Sequence, residues 1–157
     1  MNIAKKLPSQ FEVVPQFISV VIDRLKKEFP INEDEIFQIK LALEESLINA
    51  IKHGNKLNPD LTVDVAVTSQ ENRLTITVQD QGEGFDYNHY LRAGQGGDAV
   101  GAARQRYAQG RLGGLGIMLM LRSVDKLEYF GSGNQVALTK YVKKRAATKT
   151  AIPTLNK

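Results

Sequence analysis

The chain contains no cysteine and no tryptophan, and phenylalanine and tyrosine together make up only 7% of its 157 residues. Without cysteine there is no disulfide framework and no thiolate metal site. No apolar run approaches the roughly 18 residues that suggest a membrane span. The N-terminus, Met1 to Lys6, lacks the apolar stretch and small-residue cleavage site of a secretory signal. A cytoplasmic location is therefore expected. The C-terminal segment holds no acidic residue. Residues 141–157 hold Lys143, Lys144, Arg145, Lys149 and Lys157, five of the 21 basic residues, which leaves 16 basic against 17 acidic over 1–140. The net charge of +4 is thus a property of the tail, and the near-neutral body argues against a nucleic-acid surface.

What remains is ordinary globular composition, 42% hydrophobic and 24% charged, at a length that suits one domain. The domain is expected over 1–142, with a flexible basic tail over 143–157. Ile3 to Leu7 reads as a first strand. Pro15 opens a helical pattern through Phe17, Ile18, Val21, Ile22, Leu25 and Phe29, stopped by Pro30. Asn32 is positioned to cap a second helix whose first turn holds Glu33, Asp34 and Glu35, running to about His53. Leu61–Val67 and Leu74–Val78 alternate as a hairpin pair, and Leu127–Phe130 and Gln135–Val142 are two further strands. Between these pairs, Leu115 to Val124 reads as an apolar helix. Hairpins with helices concentrated elsewhere predict an α+β fold, a two-layer sandwich with helices on one face of a mixed, mostly antiparallel sheet.

Three segments carry chemistry. On an ideal second helix, with Glu45 at zero, Asn49 lies about 40° to one side and Lys52 about 20° to the other. Ile36, Leu43, Leu47 and Ala50 cluster within about 40° of the opposite direction. One stripe can be buried while a carboxylate, an amide and an ammonium face outward together. A carboxylate can take a proton from a hydroxyl, an amide oxygen can ligate magnesium, and an ammonium can neutralise phosphate. An ordinary surface helix would also show such a face.

The second segment, Asp80-Gln81-Gly82-Glu83-Gly84, follows a strand directly. Its aspartate can accept from a purine amine and its glycines allow close approach, although a plain turn uses the same residues. The third, Gly110-Arg111-Leu112-Gly113-Gly114-Leu115-Gly116, opens the apolar helix, where free backbone N–H groups suit an anion. It contains no Gly-Lys-Ser/Thr. A stretch over about 86–113 separates the last two segments. It is rich in glycine and carries Arg92, Arg104, Arg106 and Arg111 against only Asp86 and Asp98. A basic lid over a triphosphate needs such a loop, and so does a simple flexible connector.

Together these motifs resemble the GHKL (Bergerat-fold) ATPase superfamily, and within it the serine-protein kinases that act as bacterial anti-sigma factors. Glu45 to Asn55 is similar to the family's Asn box, E-x-x-x-N-A-x-x-H-G, and Asp80 to Gly84 to its first glycine box. Gly114-Leu115-Gly116-Ile117 is similar to the second glycine box, and Gly133 to Lys140 to the last strand, G-T/N-x-V-x-L-x-K. The resemblance implies ATP and Mg2+ as cofactors, Glu45 as general base and Asn49 as the magnesium ligand. It implies adenine recognition by Asp80, with Gly82 and Gly84 shaping the base pocket and Asn134 beside it. Gly114 and Gly116 would contact phosphates beneath the lid, with Lys52, His53 and Arg111 as phosphate neighbours.

The implied activity is phosphorylation of a serine or threonine on a small STAS-domain antagonist, sequestration of a sigma factor, or both, by a homodimer. A nucleotide-gated binding module that transfers no phosphoryl group is the alternative. A detached histidine-kinase catalytic domain fits less well. His53 and His89 are the only histidines, and His53 lies inside the Asn box.

Overall fold

The computed structural model describes residues 1–93 and 115–143. Five strands form one sheet: β1 (Asn2–Pro8), β2 (Thr62–Gln70), β3 (Arg73–Gln79), β4 (Lys126–Phe130) and β5 (Gln135–Tyr141), in the order β1-β2-β3-β5-β4. The helices are α1 (Val13–Glu28), α2 (Glu33–Asn49), α3 (Tyr87–Ala93) and α4 (Leu115–Ser123), with a π-helical turn at Ala50–Gly54 directly after α2. The fold is α+β, as the patterning predicts. The sheet is antiparallel at every pairing among the described strands, rather than mixed. Two helices, not one, separate β1 from β2, so the chain returns to β1 running the opposite way. A single crossover helix would have made that pair parallel.

Local chemistry explains the helix boundaries. α1 begins two residues before Pro15, which sits in the first turn where its missing N–H costs no hydrogen bond. Phe29 is extended (φ −128°, ψ 146°), the conformation required before Pro30. Asn32 caps α2 in a reciprocal box. Its side chain accepts from the Glu35 N–H (2.8 Å), and the Glu35 carboxylate accepts from the Asn32 N–H (3.0 Å).

The core lies between the helices and one face of the sheet. Register aligns Val65 with Val78 and Val78 with Val136, and likewise Val67 with Ile76 and Ile76 with Leu138. All six are buried. The period-2 alternation therefore resolves into one apolar face, each buried aliphatic side chain contributing roughly 1.5–3 kcal/mol of transfer free energy. α2 packs against both α1 and α4 and reaches β3 and β5. Its stripe of Ile36, Ile39, Leu43 and Leu47 is at most 5% exposed. Ile36, Leu43, Leu47 and Ala50 are buried together, so Glu45 and Asn49 are left on the far side of the helix. No helix among the described residues is long and apolar enough to cross a membrane. Of the expected lid, only its first part, which includes α3, is described. Arg104, Arg106, Arg111 and Gly114 lie outside the described residues, as does the tail beyond Lys143.

Candidate functional site

The sheet supplies a floor at the ends of its three central and edge strands. Val78, Val136 and Tyr129 stand in one cross-strand row, with Val136 opposite Val78 on one side and Tyr129 on the other. All three line a cavity. One step further along, the Asp80 N–H donates to the Asn134 carbonyl (2.9 Å), so these two residues continue the ladder past the end of β3. Both line the same cavity. Its roof is the C-terminal end of α2 and the turn after it, through Ser46, Asn49, His53 and Gly54. Met120 of α4 and Gly84-Phe85 close the sides.

The π-helical turn decides which residues of the Asn box reach this space. The Asn55 N–H donates to the Ala50 carbonyl (2.8 Å), a wider turn than the 3.6-residue helix assumed from sequence. His53 and Gly54 face the cavity, whereas Lys52 is exposed and does not line it. The angular argument that grouped Lys52 with Glu45 holds only while the helix remains α. Burial, and then the Lys52 ammonium, hold the His53 pKa below its usual value.

Gly54 sits directly on Asp80. A Cβ at Gly54 would fall within the Asp80 carboxyl group, and one at Gly82 would fall on the Gly54 carbonyl. The end of the Asn box and the first glycine box are thus in backbone contact, and only glycine permits the approach. The Asp80 Oδ1 accepts the Gly82 N–H (2.8 Å). Burial nevertheless raises the Asp80 pKa, partly offset by the N–H groups of Gly82 and of Asp80 itself. The result is a half-buried carboxylate lining a largely apolar cavity, with one hydrogen bond from another residue to its Oδ1 and none to its second oxygen among the described residues.

At the other end lies Glu45. It does not line the cavity proper but stands beside its mouth, where its carboxylate occupies the space a Cβ on Gly116 would take. The Asn49 amide nitrogen is 3.6 Å from that same position. Glu45, Asn49 and the start of α4 therefore converge, although 67 residues separate Asn49 from Gly116 in the sequence. Burial, and then the charge of Glu44, raise the Glu45 pKa. A carboxylate and an amide side by side at a helix N-terminus can hold a cation and an anionic oxygen together. Among the described residues no group of three or more acidic, histidine or cysteine side chains could bind a metal alone. Magnesium, which keeps waters and borrows phosphate oxygens, fits a single amide oxygen beside a carboxylate.

Of the expected site residues, Asn49, His53, Asp80, Gly84 and Asn134 line the cavity, while Glu45 and Gly116 meet at its mouth. Gly82 packs beneath Gly54 rather than into the space. Two residues escaped the sequence reading. Asn55 is 1% exposed. Its amide nitrogen donates to Ser9 Oγ (2.8 Å) and to the Thr62 carbonyl (2.9 Å), and its amide oxygen accepts the Gln81 N–H (2.8 Å). It ties the Asn box, β2 and the first glycine box to the loop after β1. It stands within the Asn-box segment, and its polarity next to Gly54 reads there as a helix stop. Tyr129 escaped because nothing in a short strand marks one aromatic as a cavity wall.

The histidine kinase-like ATPase domain family matches residues 7–140. The chain is 30% identical over 143 residues to the serine-protein kinase RsbW of Bacillus subtilis, covering 89% of this chain and 85% of that protein. It is 28% identical over 147 residues to RsbW of Staphylococcus epidermidis, covering 90% and 87%. RsbW of Listeria monocytogenes is 25% identical over 150 residues, covering 93% of each chain.

Proposed function

The chain belongs to the histidine kinase-like ATPase domain family, and from that premise we propose that it binds ATP in this cavity and transfers the γ-phosphoryl group to a serine or threonine of a partner protein. The relatives named serine-protein kinase support that reaction. Anti-sigma control is the setting we favour, with a small STAS-domain antagonist as the phosphorylated partner and a sigma factor as the one held.

The observation that carries the reading is the meeting of Glu45, Asn49 and Gly116 at one end of a cavity whose other end holds Asp80. The adenine amine donates to the Asp80 carboxylate, which no basic side chain of the described residues pairs with. The phosphates then extend toward the N-terminus of α4. Asn49 would hold magnesium there through its amide oxygen, and the metal supplies charge neutralisation across the phosphate oxygens. Glu45 takes the proton from the attacking hydroxyl as its oxygen bonds to the γ-phosphorus. The bond from that phosphorus to the β-phosphate oxygen breaks, and ADP leaves.

Incubation of the purified chain with γ-labelled ATP and small STAS-domain proteins of its host is the direct test. Label on a serine or threonine of one of them is expected. Partner binding without transfer would leave only the nucleotide-gated module.

Two finer results follow. A general base acts ionised, and the Glu45 pKa is raised. The acid limb of kcat/KM should therefore lie above the ordinary glutamate range, with activity falling as pH drops through it. Asp80→Asn should weaken ATP binding roughly 10- to 100-fold, the worth of a charge-assisted hydrogen bond. Calorimetry with purine riboside triphosphate, which lacks the amine, should show no such loss. Equal losses for both nucleotides would mean that Asp80 does not read the amine.

A further inference from the structure

The cavity holds more hydrogen-bonding capacity than its aspartate, and part of it is already committed. Ser46 Oγ donates to the Leu43 carbonyl (2.9 Å), and the Asn134 amide is turned back toward the Asp80 carbonyl (3.5 Å). Asn49 and His53 belong to the roof, and Asn49 lies on the side that leads toward Glu45. Near the floor, one polar side chain is uncommitted. Tyr129 is partly buried and lines the cavity, yet its hydroxyl makes no hydrogen bond with any described residue. No fully enclosed side-chain nitrogen or oxygen among the described residues lacks a partner, so this hydroxyl keeps access to open space. Buried tyrosine hydroxyls ordinarily find a partner.

The ring is held in place. Tyr129 meets Phe85 edge to face (centroids 5.1 Å apart, planes at 87°) and stacks on Tyr87 (5.3 Å, 25°). A phenol fixed in this way forms a hydrogen bond with little loss of side-chain freedom. Its chemistry also complements Asp80. An ionised carboxylate only accepts, so it can take an amine proton but offers nothing to the ring nitrogens of a purine. A neutral phenol can donate to them. Tyr129 and Asp80 line the same cavity from different strands, with β5 between β4 and β3.

We propose that Tyr129 is a second base-reading residue, its hydroxyl donating to a ring nitrogen of the bound adenine while Asp80 accepts from the amine. The inference rests on the reading of this cavity as the ATP pocket. Together the two contacts select a base that presents an amine donor on one side and an unprotonated ring nitrogen on the other.

Calorimetry with ATP and its 1-deaza, 3-deaza and 7-deaza analogues, on the wild-type chain and on Tyr129→Phe, tests this. The variant keeps the ring and its aromatic contacts. It should bind ATP roughly threefold to tenfold more weakly, the worth of one neutral hydrogen bond. One of the deaza analogues should bind the wild type with a similar deficit and lose nothing further in the variant. Three results overturn the inference: full ATP affinity in Tyr129→Phe, equal losses for all four nucleotides, or wild-type binding of every deaza analogue as tight as ATP. A wild-type chain that binds none of the four fails the underlying reading, and the inference falls with it.

Discussion

Glu45→Ala should lower phosphoryl transfer by about 10²- to 10⁴-fold while ATP affinity stays near that of the wild type. The range is the usual contribution of a positioned general base. ATP affinity survives because Glu45 stands beside the mouth of the cavity, against Gly116, and not among the residues that line it. The fold should survive too. The folded-state pKa of Glu45 lies above its unfolded value, because burial and Glu44 disfavour the ionised form. An ionised Glu45 therefore opposes folding at neutral pH, an effect fully present above the folded pKa and relieved as pH falls below the unfolded one. Removing the carboxylate should leave the unfolding temperature at or above that of the wild type. Single-turnover transfer from labelled ATP, run beside calorimetry and thermal melts, separates the three quantities. Transfer at the wild-type rate would remove Glu45 from the role of base.

Asn55→Ala should act in the opposite pattern, through stability and binding together. The substitution removes three hydrogen bonds from a site that is 1% exposed, and leaves the Gln81 N–H and the Thr62 carbonyl without that partner. A loss of about 2–4 kcal/mol in folding free energy is expected, since unpaired buried polar groups cost about 1–3 kcal/mol each and the losses here overlap. Chemical denaturation measures it. ATP binding should weaken as well, because Gln81 is anchored by Asn55 and lies between Asp80 and Gly82. Asn55→Asp offers a check on the cause: it keeps the acceptor for Gln81 but loses the donor to Ser9 and Thr62. Affinity near wild type in Asn55→Asp, with stability still reduced, would separate the anchoring of the glycine box from the other two bonds. An Asn55→Ala chain as stable as the wild type would show that these bonds do not hold the site together.

The two substitutions also divide the protein by what could be read without coordinates. Glu45 was legible because a helix has a fixed period. Ile36, Leu43 and Leu47 had to face the core, so Glu45 and Asn49 had to face away from it. The Asn32 cap, the β2–β3 hairpin and the strand alternation were legible for the same reason, since each depends on neighbours within a few residues. Asp80 and its glycines were legible as a motif following a strand, and their meaning came from resemblance.

Lys52 marks the limit of that local logic. Its place on an ideal helix puts it beside Glu45, yet the chain leaves α geometry at Ala50 and Lys52 stays in solvent. A π-helical turn depends on what surrounds it. Here Gly54 must lie flat on Asp80, and Asn55 must reach Ser9, Thr62 and Gln81 at once.

The sequence by itself determined the fold class, the buried stripe of α2 and the outward placing of Glu45 and Asn49 on that helix. All of these follow from periodicity and short-range backbone chemistry. Only the tertiary structure decided that Glu45 meets Gly116, that Gly54 rests on Asp80, that every described strand pairing is antiparallel, and that Tyr129 walls the cavity. These are contacts between segments tens of residues apart. They are set by how helices and sheet pack on a shared core, and no local pattern encodes that packing.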